Sequence, residues 1–134
     1  MDEKTLVLIK PDGVKRKLMG NIISRFENRG LDISACQLMT LTKEKANEHY
    51  GEHLGKPFFD PLIKFITSGP LLAMVVEGDR AQQIVRKMCG ATDSALADSG
   101  TIRGDYAISK SSNIVHSSDS VESAEREINI FFGS

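Results

Sequence analysis

In the run Asn113-Ile114-Val115-His116-Ser117-Ser118-Asp119-Ser120, a histidine ends a short apolar stretch and a helix start follows at once. Asp119 is placed to act as N-cap, with Glu122 three residues on to close a capping box. The helix then reads Val121, Ala124, Ile128, Phe131 and Phe132, an apolar stripe at helical spacing. Glu127 falls inside that stripe, about 60° from Ala124 and about 40° from Phe131 at roughly 100° per residue. A carboxylate on a buried face is costly unless a polar group meets it, and His116 is the nearest candidate along the chain. An imidazole held in one tautomer by a carboxylate is what a nucleophilic or proton-shuttling histidine requires.

Three cations stand where sites are usually assembled. Lys10 ends an apolar run, Arg86 rides the polar flank of a helix, and Arg103 lies in a long loop between Gly100-Thr101 and Gly104-Asp105. Arginine suits phosphate because its planar fork donates two parallel hydrogen bonds. Taken singly each is an ordinary solvated charge, and sequence alone does not bring them together. Seventeen basic against 18 acidic residues leave a net charge of −1, so no global field recruits nucleic acid or an anionic membrane. Any anion must be met by locally clustered Lys and Arg.

His49-Tyr50-Gly51-Glu52-His53 matches H-x-x-E-H, the inverted zinc-protease pattern. Gly51 lies within it and Gly55 and Pro57 end the helix, so the two histidines are expected to be solvated at a helix end rather than to hold zinc. Phe58 and Phe59 are expected to pack at a helix entry, although an aromatic at that Pro-bounded tip also suits covering a flat base. Lys15-Arg16-Lys17 reads as a solvated helix approach. The chain has no G-x-x-x-x-G-K-[ST] phosphate loop and no G-x-S-x-G elbow.

These residues need rigid elements to hold them. Thr5-Leu6-Val7-Leu8-Ile9 and Leu71-Leu72-Ala73-Met74-Val75-Val76 are continuous apolar runs, as expected of strands buried on both faces. Pro11-Asp12-Gly13 supplies turn chemistry after the first run and leaves Lys10 as the strand's last residue. A helix follows with Met19, Ile22, Ile23 and Phe26 on one face and Gly30 as its stop. Residues 33–41 read as a strand, Thr42 as the cap of a short helix, and Leu62, Ile63, Phe65 and Ile66 as another helix. Asp79 is expected to cap a helix with Ala81, Ile84, Val85 and Met88, ending at Gly90. Residues 91–112 read as a loop in which only Ile102, Tyr106 and Ile108 look buried, and loops of that length are usually functional. A short strand at 113–116 and the final helix complete the order β-α-β-(α-α)-β-α-β-α. That order fits an antiparallel sheet with helices packed on it.

At 134 residues the chain is expected to be a single domain, 1–134, with a real core. Cys36 and Cys89 sit in apolar segments and read as small buried hydrophobes. With no leader-like start and no long apolar run, the chain reads as cytoplasmic. There is no Trp, and aromatic residues make up 6%, which argues against a stacking platform for nucleic acid.

Together the motifs resemble the nucleoside diphosphate kinase family. The family's first strand and turn appear as Leu8-Ile9-Lys10-Pro11-Asp12-Gly13-Val14, and its histidine signature N-x-x-H-[GA]-S-D as Asn113 to Asp119. His49-Tyr50, Lys56-Pro57-Phe58-Phe59, Ser68-Gly69-Pro70 and Gly100-Thr101-Ile102-Arg103-Gly104-Asp105 stand between them in order. The resemblance implies an α+β sandwich, ferredoxin-like βαββαβ with a four-stranded antiparallel sheet and additional helices. It implies ping-pong transfer of a γ-phosphate between nucleotides through a phosphohistidine. His116 matches the nucleophile, Glu127 its orienting carboxylate, and Ser118 a member of the same network. Lys10 and Tyr50 match contacts to the transferring phosphoryl and ribose side. Arg86, Thr92 and Arg103 match phosphate ligands, and Asn113 a ribose contact. Phe58 matches the ring that stacks on the base, with Leu62 beneath it. Mg²⁺ would arrive with the nucleotide rather than occupy a protein cage. The partners implied are nucleoside di- and triphosphates and further copies of the chain, a hexamer being favoured over a tetramer.

The sequence departs from the family pattern in places. Ser117 replaces the usual Gly or Ala and is expected to put a hydroxyl beside the reactive imidazole, adding a hydrogen bond or crowding the turn; Lys110 stands where a small apolar residue usually faces the base. Residues 93–99 lack the prolines common in that loop, which predicts mobility, and the chain stops at Phe132-Gly133-Ser134, short of a C-terminal extension many relatives use between subunits. A catalytically weak regulatory protein on the same fold is one alternative. An RNA-binding module is another, but it needs aromatics on the central strands, and these have none.

Overall fold

The computed structural model describes residues 2–133; Met1 and Ser134, the first and last residues of the expected single domain, lie outside them. The chain forms β1 (Asp2–Ile9), α1 (Pro11–Lys15), α2 (Met19–Asn28), β2 (Asp32–Met39), α3 (Lys43–His49), a 3₁₀ turn (Gly51–His53) and α4 (Phe59–Ile66). It continues through β3 (Leu71–Asp79), α5 (Ala81–Cys89), α6 (Ile102–Tyr106), β4 (Val115–Ser117) and α7 (Val121–Phe132). The strands form one antiparallel sheet in the order β2-β3-β1-β4, so the expected four-stranded ferredoxin-like sandwich is present with helices added.

Alternation along the two central strands divides the core. Val7, Ile9, Met74 and Val76 meet α2 and α5 through Ile22, Phe26 and Val85. Leu6, Leu8, Leu71 and Ala73 meet α3, α4 and α7 through Ala46, Ile63 and Phe131. Both faces are covered, which is why these strands read as unbroken apolar runs and why no face is left bare for stacked bases. Leu8 pairs with His116, so the histidine projects to the α7 face.

Several local readings are corrected. Pro11-Asp12-Gly13 begins a helical turn, because Pro at the first position lacks only an N–H that would be unpaired. The strand accordingly closes at Ile9, and Lys10 is the residue before α1. The cap of α7 is Ser120, whose Oγ accepts from the Ser123 N–H at 3.0 Å; the helix starts one residue later than Asp119 capping requires. Asp79 is the last residue of β3, and the first turn of α5 is served across the sheet, where Glu3 Oε1 accepts from the Gln82 N–H at 3.3 Å. Thr42 does cap α3, accepting from the Lys45 N–H. Gly30 stops α2 with φ of +91°. The 91–112 stretch contains α6, and Ile108 is 73% exposed. Cys36 lies exposed on β2 at the sheet edge, whereas Cys89 is buried. Arg16 is not a simple solvated charge, since its guanidinium donates to the Tyr106 carbonyl at 2.7 Å.

The link from β1 to β4 is tight. Gly13 packs so closely that an added Cβ would stand 2.8 Å from Ile9 Cγ2 and 3.1 Å from Ile114 Cγ2. Gly13→Ala is therefore expected to destabilise the fold by about 1–3 kcal/mol. Urea unfolding checks this, and an unchanged midpoint would show that the approach imposes no constraint.

Candidate active site

Glu127 is 4% exposed on α7. Its Oε1 accepts from the Ser118 hydroxyl at 2.7 Å and lies 2.9 Å from His116 Nε2. Ser118 Oγ itself accepts from the Leu6 N–H at 3.3 Å, which ties the carboxylate to the central strand. Desolvation raises the Glu127 pKa, but hydrogen bonding and charge from His116, with the Ser118 hydrogen bond, outweigh it and hold the group below the usual carboxylate range. An ionised Glu127 keeps the proton on His116 Nε2 and the lone pair on Nδ1. Nδ1 has no hydrogen-bond partner among the described residues.

The turn that delivers His116 is strained. Ile114 has φ of +75°, which a β-branched residue rarely adopts, and the Val115 N–H donates to the Asn113 carbonyl across it at 2.8 Å. Two contacts hold it there. The Lys10 N–H donates to the Ile114 carbonyl at 2.8 Å, and Asp12 Oδ2 accepts from the Ile114 N–H at 3.1 Å. Asn113 Oδ1 in turn accepts from Lys10 Nζ at 2.7 Å, and its Nδ2 donates to the Thr92 and Lys110 carbonyls.

The three cations converge. Lys10, Arg86 and Arg103 line one cavity of about 180 Å³ with His116, Asn113, Tyr50, Leu62, Thr92 and Glu127. Arg103 donates to the Val115 carbonyl at 2.6 Å and to the Gly90 carbonyl at 2.8 Å, and Arg86 to the Ser117 carbonyl at 3.1 Å. Gly104 permits the α6 turn that carries Arg103, since a Cβ there would collide with the Asp98 carbonyl. Burial, reinforced by the Arg103 charge and only partly offset by Asp12, lowers Lys10 to about 8. Glu52 and Asp119 also line the cavity and Glu127 is engaged by His116 and Ser118, so the clustered cations stay available to an anion.

Ser118 acts from behind the wall, through Glu127. Phe58 is 49% exposed and outside the cavity wall, its ring 5.3 Å from that of His53. Of the pair read as packing at a helix entry, only Phe59 is buried. Ser117 is not beside the imidazole in space: it pairs with Val7, so alternation turns its side chain to the opposite face, near Cys89. Lys110 is exposed and forms no part of the wall.

Sequence reasoning missed three contributors. His49 was expected in solvent but is 2% exposed, its ring 4.8 Å from that of His116 in an edge-on contact. Burial, with the positive fields of His116, Arg126 and Lys10, lowers it to about 3 against the pull of Glu127, so it is neutral. Gln82 Nε2 donates to the Ser118 carbonyl at 3.0 Å, and Asp12 pins Ile114. The H-x-x-E-H match drew attention to His49; nothing local signalled the other two.

An oriented imidazole facing a cluster of fixed cations, on an antiparallel α/β sandwich, is the equipment of a phosphotransferase. Residues 3–134 match the family profile described as nucleoside diphosphate kinase. A nucleoside diphosphate kinase of Staphylothermus marinus is 62% identical over 130 residues, covering 97% of this chain and 92% of that one. One from Thermobifida fusca is 60% identical, covering 97% and 96%. Among solved structures, a halophilic nucleoside diphosphate kinase from Halobacterium salinarum in complex with CDP superposes with a TM-score of 0.97 at 49% identity, covering 100% of this chain and 90% of that one. The apo enzyme of Encephalitozoon cuniculi gives 0.96 at 43% identity, covering 98% and 90%. The chain belongs to the nucleoside diphosphate kinase family and is a phosphotransferase.

The depressed Lys10 value has a consequence for activity. Below about pH 8 the ammonium is charged and available to an anion; above it the neutral amine is not. In the free enzyme kcat/KM for nucleotide is therefore expected to fall on a basic limb near pH 8. Lys10→Met should remove the limb, and a limb unchanged in that variant would assign it elsewhere.

Proposed function

We propose that the chain moves the γ-phosphate of a nucleoside triphosphate to a nucleoside diphosphate in two half-reactions through His116 Nδ1. The observation that supports this is the one-sided engagement of the imidazole. Nε2 faces Glu127 at 2.9 Å, while Nδ1 is unbonded and the ring borders the cationic cavity. Attack by the Nδ1 lone pair forms the N–P bond as the bond to the β–γ bridging oxygen breaks. The nucleoside diphosphate leaves with that electron pair, and positive charge gathered on the ring is met by Glu127. A second diphosphate then attacks the phosphohistidine and restores the neutral imidazole.

Lys10, Arg86 and Arg103 neutralise charge on the phosphate oxygens, which is most of what phosphoryl transfer asks of a protein. Thr92 contributes a phosphate contact, Asn113 and Tyr50 contacts to the ribose side, and Ser118 holds Glu127. Phe58 stacks on the base above Leu62, and its exposure supports a role outside the packed core. A base held by its face, without edge hydrogen bonds, is weakly discriminated, so broad nucleoside tolerance follows.

Mg²⁺ fits as a companion of the nucleotide. The cavity wall carries more cations than free carboxylates, with Glu52 and Asp119 the candidates to receive its water shell. When bound, it neutralises phosphate charge. We further propose that residues 1–134 act as one domain in a cytoplasmic homo-oligomer, a hexamer rather than a tetramer. The open β2 edge with Leu38 half exposed supports subunit contact, and no helix among the described residues is long and apolar enough to cross a membrane.

Incubation with γ-labelled ATP and Mg²⁺, then a chase with an unrelated nucleoside diphosphate, tests the mechanism. An acid-labile, base-stable phosphoprotein that discharges to the acceptor is expected. Labelling of His116→Ala at the parent level would overturn the residue assignment. Glu127→Gln is expected to slow labelling by about 10²-fold or more while the fold persists, as read by rapid quench.

A further inference from the structure

We propose that His49, His116 and Glu127 form a second, inhibitory site that takes a Zn²⁺-like divalent transition metal in the absence of nucleotide. The donor atoms, two imidazole nitrogens and one carboxylate oxygen, all lie within 4.8 Å of one another. Two histidines with a glutamate are a common zinc donor set, leaving a fourth position for water. In this structure all three residues line the cavity, which is open to water.

His49 is the independent observation. It is 2% exposed, yet neither ring nitrogen has a hydrogen-bond partner. A buried imidazole lacking any partner is a standing cost that a ligand would remove. Its ring is held by aromatic contacts with Tyr50, His116 and Phe131 and by no hydrogen bond, so none has to break for a nitrogen to reach a metal. Metal bonds of about 2.0–2.2 Å set tetrahedral donors roughly 3.3 Å apart. His116 and Glu127, at 2.9 Å, must open by a few tenths of an ångström, and the rest of the closure falls to His49.

The surrounding charges decide which metal. Lys10, Arg86 and Arg103 oppose any dication, so attraction by charge alone is weak. Zn²⁺ gains from imidazole bonding that Mg²⁺ does not offer, and the set discriminates accordingly. Coordination through His116 Nε2 would move the ring proton to Nδ1, and coordination through Nδ1 would occupy it directly. Either way the lone pair is lost, a consequence that rests on the phosphohistidine reading, whereas the metal set rests on geometry alone.

Calorimetric titration of the nucleotide-free protein with ZnCl₂ tests the site. One site per chain is expected, unaffected by excess Mg²⁺. His49→Phe should weaken it by more than about tenfold, the least expected from losing a ligand, while His53→Ala should retain it. An absent site in the parent, equal affinity in His49→Phe, or loss in His53→Ala would overturn the proposal. Zinc-edge X-ray absorption on the parent needs no variant: two imidazoles and a carboxylate support the site, and any other count of histidines rejects it. Phosphohistidine labelling without zinc is the separate readout for the kinase mechanism, so the two failures are distinguishable.

Discussion

Removing a carboxylate from water costs several kcal/mol unless donors replace the lost hydration. Glu127 meets that demand with one oxygen that serves both the Ser118 hydroxyl and the His116 ring. The consequence is architectural. Helix α7 settles on the sheet where β4 and the residue after it offer those donors, and β4 is held by its short pairing with β1 and by Arg86 and Arg103 on its carbonyls. Ser118 closes the circuit by accepting from the Leu6 N–H. One buried charge thus ties the last helix, the edge strand and the central strand together, and it orients the imidazole in doing so.

The cationic side of the cavity poses the opposite problem. Lys10 and Arg103 are both buried enough to lose hydration, and each lowers the other's readiness to hold charge or sits near a further guanidinium. Backbone carbonyls of Gly90, Val115 and Ser117 and the Asn113 amide oxygen partly answer them. These acceptors are neutral, so they leave the charge on Lys10, Arg86 and Arg103 in place for an anion to meet. Beside them the Lys10 N–H and the Asp12 carboxylate brace the strained Ile114 turn, which costs on the order of 1–3 kcal/mol. Strain and repulsion are stored at the site and held there by the packing of β1, β3 and their helices.

Much of this was legible beforehand. The apolar runs of β1 and β3 announced strands covered on both faces, the stripe of α7 exposed Glu127 as misplaced, and the family motifs marked the cations. The failures share a cause. Asp119 and Asp79 looked like caps because capping chemistry is local, yet the sheet register decided where the helices began. Cys36 looked buried because its segment is apolar, but it belongs to an edge strand. Ser117 looked adjacent to the nucleophile because it is so in sequence, and strand alternation sends it to the other face.

What the sequence by itself determined is the four strands, the longer helices and the residue chemistry, because hydrophobic period and side-chain type are properties of short stretches. The short helices α1 and α6 carry too little period to be read. The tertiary structure alone decided the convergence of Lys10, Arg86 and Arg103, the burial of His49 against His116 and the pinning of Ile114 by Asp12. Each joins residues tens of positions apart. Such distances carry no local pattern; they arise only when the two faces of one sheet are covered and the chain has nowhere else to go.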